Sequence, residues 1–281
     1  MQVNQIYNQD CLEGIRLLQE RSISLVLTSP PYAQQRQKHY QGIEESDYPS
    51  WLVSVLETLK PKLTADANVL INIRSNVKDG QVSDYVLRTR LAIRDAGWIE
   101  LEELIWYKPN GPPLGHPNRP RRCWEHILWY SQTTHPFLDL TECGRHTGNY
   151  ACDGGGLNNH LFHATNKTPL EGNSRITDVI IAGVDGGAAD KGIDHPARYP
   201  LALCETLIKT FSPSGSVVLD PFAGSGTTAI ASIDTGRNYI GFEIDSEYYK
   251  LASNRIATHH VSTASLESLF ERDNSSLIMP T

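Results

Sequence analysis

VVLDPFAGSGTT, Val217 to Thr228, carries three local signals in one short stretch. An apolar, β-branched run reads as a buried strand, and Asp220 and Pro221 end it. Gly224 and Gly226 then punctuate a turn of small residues, and Thr227 opens a helix. Glycines let a backbone approach a ligand closely, and the N-terminus of the following helix is electropositive. Three nucleotide readings compete. A phosphate-binding P-loop needs a Gly-Lys-Ser/Thr sequence, and Thr227-Thr228 follow Gly226 with no lysine, which argues against ATP. The dinucleotide fingerprint is met only in its permissive form, with Ala229 at the third glycine position. A cationic nucleoside such as S-adenosylmethionine gives Asp220 a purpose, whereas a pyrophosphate would be repelled by it. The next strand ends in YIGFEID, where Glu243 stands about twenty residues past the glycines, the place of a carboxylate that accepts ribose hydroxyls.

Outward from this stretch the chain alternates strand and helix, the pattern of a mostly parallel α/β sheet. Ile23–Leu27 reads as a buried strand. Pro49–Leu59 reads as a helix with Trp51, Leu52, Val55, Leu56 and Leu59 on one face, opened by Pro49 and closed by Pro61. Val69–Ile73 is a strand, Asp84–Ala96 a helix stopped by Gly97, and Leu101–Tyr107 and Cys123–Tyr130 are strands. From Ser131 to Asp194 the sequence turns rich in Gly, Asn, Thr and His and loses periodicity. That length points to a functional insertion or a small lobe. Pro200 then opens a helix with Leu201, Cys204, Ile208 and Phe211 inward, closed by SPSG. Strand Val217–Leu219, helix Thr227–Asp234, strand Tyr239–Phe242 and helix Ser246–Ala257 complete the pattern, and the tail beyond His260 is polar.

The 281 residues, 40% hydrophobic and 20% charged, suit one large α/β domain with an inserted lobe, or two small domains. No apolar run reaches the ~18 residues of a membrane span. The opening MQVNQIYNQDCLEGI lacks the basic-then-apolar pattern of a signal peptide, so a cytoplasmic protein is expected. Five cysteines, an odd number, suggest free thiols in a reducing compartment. Cys143, Cys152, His160 and His163 are not spaced as a zinc site, and no metal is expected. The net charge of −7 counts against a polyanionic partner only weakly, because a polyanion meets one face and not the average. Arg36, Lys38, Lys108, Arg119, Arg121 and Arg122 are locally clustered cations.

The strand Ile23–Leu27 runs into Thr28-Ser29-Pro30-Pro31-Tyr32. Prolines end a ladder, and they also fix the direction of the carbonyls they carry. Together, TSPPY, DPFAGSGTT, GFEID, HPARYP (His195–Pro200) and the opening NQDCLEGI (Asn8–Ile15) resemble the amino-methyltransferases that modify exocyclic amines of DNA bases. The catalytic motif precedes the cofactor motif with the variable segment between them, an order similar to the permuted arrangement called the beta class.

The resemblance implies a Rossmann-like methyltransferase sheet, mostly parallel and circularly permuted. Residues 1–130 would form the catalytic half, 131–194 an inserted target-recognition segment, 195–260 the cofactor-binding half of the same domain, and 261–281 a tail. The methyl donor would be S-adenosylmethionine. Asp10 and Cys11 would lie by its adenine with Phe222 packed against it. His195, Pro196, Ala197 and Arg198 would wall the methionine end. Asp220, Pro221, Gly224, Ser225, Gly226, Thr227 and Glu243 would complete the cofactor site. Ser29, Pro30, Pro31 and Tyr32 would form a catalytic shelf. An exocyclic amine is a poor nucleophile because its lone pair is conjugated with the ring. Acceptors at Ser29 Oγ and the Pro30 carbonyl would favour a pyramidal nitrogen, with Tyr32 stacked on a base flipped out of the duplex.

Trp124–Gln132 resembles the strand lining the target-base pocket. Arg36, Lys38, Arg119, Arg121 and Arg122 are candidate phosphate contacts, and Asn158, Asn159, His160 and Asn166 candidate base readers. Serine in the first position of SPPY favours N4 of cytosine over N6 of adenine. No Pro-Cys pair is present for C5 methylation. The partners implied are double-stranded DNA in a prokaryotic cell or one infected by phage, with room for a cognate restriction endonuclease and for a homodimer. An RNA or protein amide methyltransferase, and a protein that binds DNA and cofactor without catalysis, are the rival classes.

Overall fold

The computed structural model describes residues 1–33, 42–78, 80–109, 118–140, 175–183 and 200–259. Its centre is an eight-stranded sheet. In chain order the strands are β1 (Gln5–Tyr7), β2 (Ile23–Thr28), β3 (Leu63–Ile73), the short hairpin β4 (Val77–Lys78) and β5 (Gln81–Val82) outside the main sheet, β6 (Ile99–Tyr107), β7 (Trp124–Ser131), β8 (Val179–Ile181), β9 (Val217–Asp220) and β10 (Asn238–Phe242). The helices are α1 (Cys11–Arg16), α2 (Tyr48–Leu59), α3 (Tyr85–Asp95), α4 (Leu201–Phe211), α5 (Thr227–Asp234) and α6 over 246–259. Across the sheet the order is β1-β10-β9-β2-β3-β7-β6-β8. The strands from β1 to β3 in this order are parallel, and β7 is antiparallel to both β3 and β6.

Both faces of the sheet are covered, which is why its central strands read as continuous apolar runs and not as alternation. Ile23, Val26, Val69, Ile71 and Leu219 pack with α1, α2 and α3 in one core. Leu25, Leu27, Leu70 and Val218 face the opposite way, into a core built with α4 and Ala231 of α5. A register shift between Ile23 and Leu25 marks an irregularity in the pairing of β2 with β3.

Most expected elements are present; β1, α1 and the β4–β5 hairpin are additional to them, and three further points differ. β3 begins at Leu63 and not Val69, because a more polar first half containing Thr64, Asp66 and Asn68 still belongs to the ladder. Leu201 stays exposed while Leu203 and Leu207 are buried, so the inward stripe of α4 is Leu203, Cys204, Leu207, Ile208 and Phe211. β8 has no periodic signal in the sequence. It has three residues within the aperiodic stretch, and it adds to the sheet parallel to β6, with Trp106 Nε1 donating to Ala182 O at 2.9 Å. At the other end of that stretch, fully buried Asn68 donates to Phe137 O at 2.8 Å and Phe211 O at 2.9 Å and accepts from Trp129 Nε1 at 2.7 Å. Both described ends of 131–194 are therefore fastened to the sheet.

β2 and β9 are parallel neighbours, paired through Leu25–Val218 and Val26–Leu219. Their carboxyl ends meet at one buried side chain. Asp220 Oδ1 accepts from Thr28 Oγ1 at 2.8 Å and from Phe222 N at 3.1 Å, and Oδ2 accepts from Thr228 Oγ1 at 2.7 Å. Burial raises the Asp220 pKa above the ordinary carboxylate range, against the pull of these hydrogen bonds. A folded-state value above the unfolded one means that the ionised carboxylate opposes folding near neutral pH, and the opposition fades as pH falls towards the folded-state value.

Asp220→Ala removes an acceptor that three donors share, and is expected to lower the unfolding free energy by about 3 kcal/mol or more. Asp220→Asn keeps an oxygen for Thr28 and Phe222 and can turn its amide towards the Thr228 hydroxyl, so its loss is expected to stay within about 1 kcal/mol. Denaturant midpoints of the two variants decide it: equal losses would show that the side chain does not tie the strands.

Candidate active site

The link between Thr28 and Asp220 sets the Ser29–Tyr32 corner beside the glycine turn, at the carboxyl ends of adjacent strands. That is where open α/β sheets hold ligands. Beyond Thr28, Ser29 Oγ lies 3.4 Å from Asn72 Oδ1, and Tyr32 Oη lies 3.0 Å from the same oxygen and 2.9 Å from Glu125 Oε2. The amide orientation of Asn72 is set from behind, since its Nδ2 donates to His126 O on β7 at 3.0 Å. Three strands thus converge here: β2 brings the tetrapeptide, β3 brings Asn72 and β7 brings Glu125.

Glu125 is 6% exposed and is shared by several groups. Lys108 Nζ donates to its Oε1, and Arg74 Nη1 stands 3.8 Å from the same oxygen. The Lys108 ammonium also sits 3.8 Å over the Trp106 ring. Burial lowers the Lys108 pKa, and the Glu125 charge opposes that shift. Burial, and then the charge of Glu125, raise the Tyr32 phenol well above its usual value, so it stays protonated.

On the other side of the crevice the turn after β9 is left-handed at Gly224 (φ 52°) and Gly226 (φ 80°). A side chain at either would be strained, and at Gly226 its Cβ would also stand 3.1 Å from that of Ala252 on α6. Glu243, at the end of β10, accepts from Gly224 N with Oε2 and from Asp245 N with Oε1, each at 2.8 Å. Arg255 of α6 donates to Ser225 O, to Ser225 Oγ at 2.9 Å and to Thr227 Oγ1 at 3.4 Å. Asp10 caps α1, accepting from Leu12 N at 2.8 Å and Glu13 N at 3.2 Å. Burial, and then the neighbouring Asp10 charge, push the Cys11 thiol up to about 12, which leaves it an inert, packed group. Half-buried Phe222 meets the Trp51 ring at 5.4 Å between centroids, and Pro221 is buried.

Of the residues expected at the site, Ser29, Pro30, Pro31, Tyr32, Asp220, Pro221, Phe222, Gly224, Ser225, Gly226, Thr227 and Glu243 gather at the sheet's carboxyl edge. Asp10 and Cys11 stand just past β1, next to β10. Several of these side chains have partners within the protein. Both oxygens of Asp220 are engaged at 5% exposure, where it ties β2 to the glycine turn. Ser225 and Thr227 accept from Arg255.

Half-buried Arg119 donates to Gly80 O, while Arg121 and Arg122 are exposed on the approach to β7. Burial and the neighbouring Arg74 charge lower the Arg122 pKa. His195, Pro196, Ala197, Arg198, Arg36, Lys38, the base-reader candidates of 131–194 and the Cys143/Cys152 group lie outside the described residues. Among the described residues no cluster of His, Cys, Asp or Glu could hold a metal ion, and no helix is long and apolar enough to cross a membrane. Asn72, Glu125, Arg74 and Arg255 are site residues that sequence reasoning does not find. Their only trace in the sequence is polarity inside otherwise apolar strands, as in LINIR and WEHILW, or a lone cation on a helix.

A family model described as DNA methylase, covering N6 and N4 methyltransferases, matches residues 23–254. Among curated relatives, the type II methyltransferase M.PvuII of Proteus hauseri is 25% identical, with 95% of this chain and 88% of the relative aligned. M.XycI of Xanthomonas campestris pv. cyanopsidis is 26% identical over 89% of this chain and 87% of its own. Among solved structures, the PvuII DNA methyltransferase, titled cytosine-N4-specific, superposes with a TM-score of 0.70 at 26% identity, covering 89% of this chain and 85% of that one. The M1.HpyAVI–SAM complex shares the fold, with a TM-score of 0.60 at 22% identity over 90% of this chain and 98% of that one. With the two strand ends joined at one crevice and the family model spanning both motifs, this chain belongs to the DNA methylase family of N6/N4 methyltransferases.

Proposed function

We propose that this chain transfers a methyl group from S-adenosylmethionine to the exocyclic N4 amine of a cytosine flipped out of duplex DNA, within a specific sequence. The observation that carries this reading is the hydrogen-bond chain behind Ser29. Asn72 holds its carbonyl oxygen forward because its amide donates to His126 O, and Ser29 has that oxygen at 3.4 Å to take its proton. With the proton directed there, the lone pairs of Ser29 Oγ are left for an amine N–H. A cytosine-N4 title on a solved neighbour 26% identical supports the choice of base.

The donor set fits S-adenosylmethionine. Glu243 is an acid at the end of β10 for a ribose diol, Phe222 and Trp51 offer apolar ring faces for a purine, and the left-handed glycines keep the turn free of side chains. When bound, the cofactor supplies an electrophilic methyl group on a sulfonium. The protein's part is placement, which can be worth effective molarities of about 10⁵ M or more. Ser29 and the Pro30 carbonyl accept from the amine, and Tyr32 offers its ring to the everted base. Arg121 and Arg122, with Arg36 and Lys38, are assigned to phosphates. Residues 131–194 are assigned to sequence recognition, and the type II names of the relatives support a cognate endonuclease.

Modified-base sequencing of DNA from cells expressing the chain is expected to give N4-methylcytosine in one context. N6-methyladenine would replace the assigned base, and no modification would end the reading. The same sequencing on a chain carrying a relative's 131–194 is expected to show a new context with the same modified base. Ser29→Ala is expected to lose turnover by about a hundredfold or more while cofactor affinity, measured by calorimetry, stays within about twofold. An equal loss of affinity would remove Ser29 from the chemistry. Arg255→Ala is expected to do the reverse: loosening the Ser225–Thr227 turn should weaken cofactor binding by about tenfold, with kcat at saturating cofactor little changed.

A further inference from the structure

Glu125 is an ionisable residue on a strand whose neighbours Ile127 and Leu128 are fully buried. A buried carboxylate is retained at a cost unless its partners use it. Its partners are Lys108, Arg74 and the phenol of Tyr32, and Tyr32 belongs to the loop beyond β2 and not to the sheet.

Tyr32 and Ser29 each have one hydroxyl proton. The two hydroxyls are within hydrogen-bond reach of each other, and two further acceptors face them: Asn72 Oδ1, with its orientation fixed by His126 O, and Glu125 Oε2. Tyr32 is the nearer to Asn72, at 3.0 Å against 3.4 Å for Ser29. Left to themselves, the phenol would take the better place on the amide oxygen. An ionised carboxylate at 2.9 Å is the stronger acceptor, so the phenol proton turns to Glu125. Ser29 then has first claim on Asn72, and its lone pairs face the crevice.

We propose that Glu125 is a positioning residue that sets the direction of this hydroxyl chain. By drawing the Tyr32 proton to itself it makes Ser29 an acceptor, the form the amine requires. Lys108 and Arg74 hold the carboxylate in place. The proposal rests on the methyl-transfer reading above and goes beyond it, since it assigns to Glu125 a role that acts through Tyr32 and Ser29.

The test is a double-mutant cycle of Glu125→Gln and Tyr32→Phe. Single-turnover methyl transfer is measured on unmodified genomic duplex DNA with saturating labelled S-adenosylmethionine, alongside cofactor affinity and thermal melting. In Glu125→Gln the amide can donate to the phenol oxygen and send the phenol proton to Asn72. Turnover is expected to fall by about tenfold or more, the factor that ~1.4 kcal/mol represents, with cofactor affinity unchanged. In Tyr32→Phe the competing proton is gone, so adding Glu125→Gln is expected to cause no further loss. Glu125→Asp keeps the charge and is expected to retain most of the turnover, and it serves as the readout if Glu125→Gln does not fold. Independent, multiplying losses in the double variant would overturn the proposal, as would a Glu125→Asp as inactive as Glu125→Gln. A wild-type chain that methylates no duplex would overturn the functional reading itself, and this one with it, whereas multiplying losses in an active enzyme overturn only the role of Glu125.

Discussion

Thr28 and Asp220 are 192 positions apart in the chain, and their side-chain oxygens stand 2.8 Å apart. That contact joins the two sides of the crevice. One carboxylate receives the end of β2, the start of α5 through Thr228 and the backbone of the glycine turn through Phe222. The corner that would hold a base and the turn that would hold a methyl donor therefore cannot move independently. For a reaction that depends on alignment between two bound groups, this coupling of the two floors matters more than any single contact to either ligand.

The same economy of polar groups runs outward from that tie. Buried polar atoms at the sheet's edge are paired in a definite order: Asn72 is oriented by β7, Tyr32 lies between Asn72 and Glu125, and Glu125 lies between Tyr32 and the cations Lys108 and Arg74. Low local dielectric makes each of these pairings stronger, and each loss of a partner more costly, than in water. Such a network carries direction as well as position, because each hydroxyl has one proton to give. Arg121 and Arg122 are exposed on the chain leading into β7, the strand that carries Glu125.

The side proposed for the cofactor is built differently. Its acceptors and turns are held by backbone donors and by a helix cation: Gly224 N on Glu243, and Arg255 on Ser225 and Thr227. Glycines at 224 and 226 permit left-handed backbone where the chain reverses into α5. Close packing adds a further constraint at Gly241, whose added Cβ would come within 3.0 Å of Ala223 Cβ and 3.1 Å of Ile6 Cγ1. The loop lies directly on β10 and β1, which brings Glu243 to the glycine turn.

Local chemistry was legible in the sequence. Apolar runs marked the central strands because both faces of the sheet are covered. Gly224, Gly226 and Gly97 marked turns because left-handed backbone excludes most other residues. The prolines of SPPY marked a strand end because they cannot continue a ladder. The ordered set of motifs was enough to place the chain in its family. Partnership across the sheet was not legible. That Asp220 turns inward, that β8 closes the far edge, and that Asn72 and Glu125 stand behind Ser29 all depend on which strands become neighbours. A side chain's hydrogen-bond partner is set by strand order and register, and these are fixed by the packing of the whole sheet, not by the residues on either side of it in the chain.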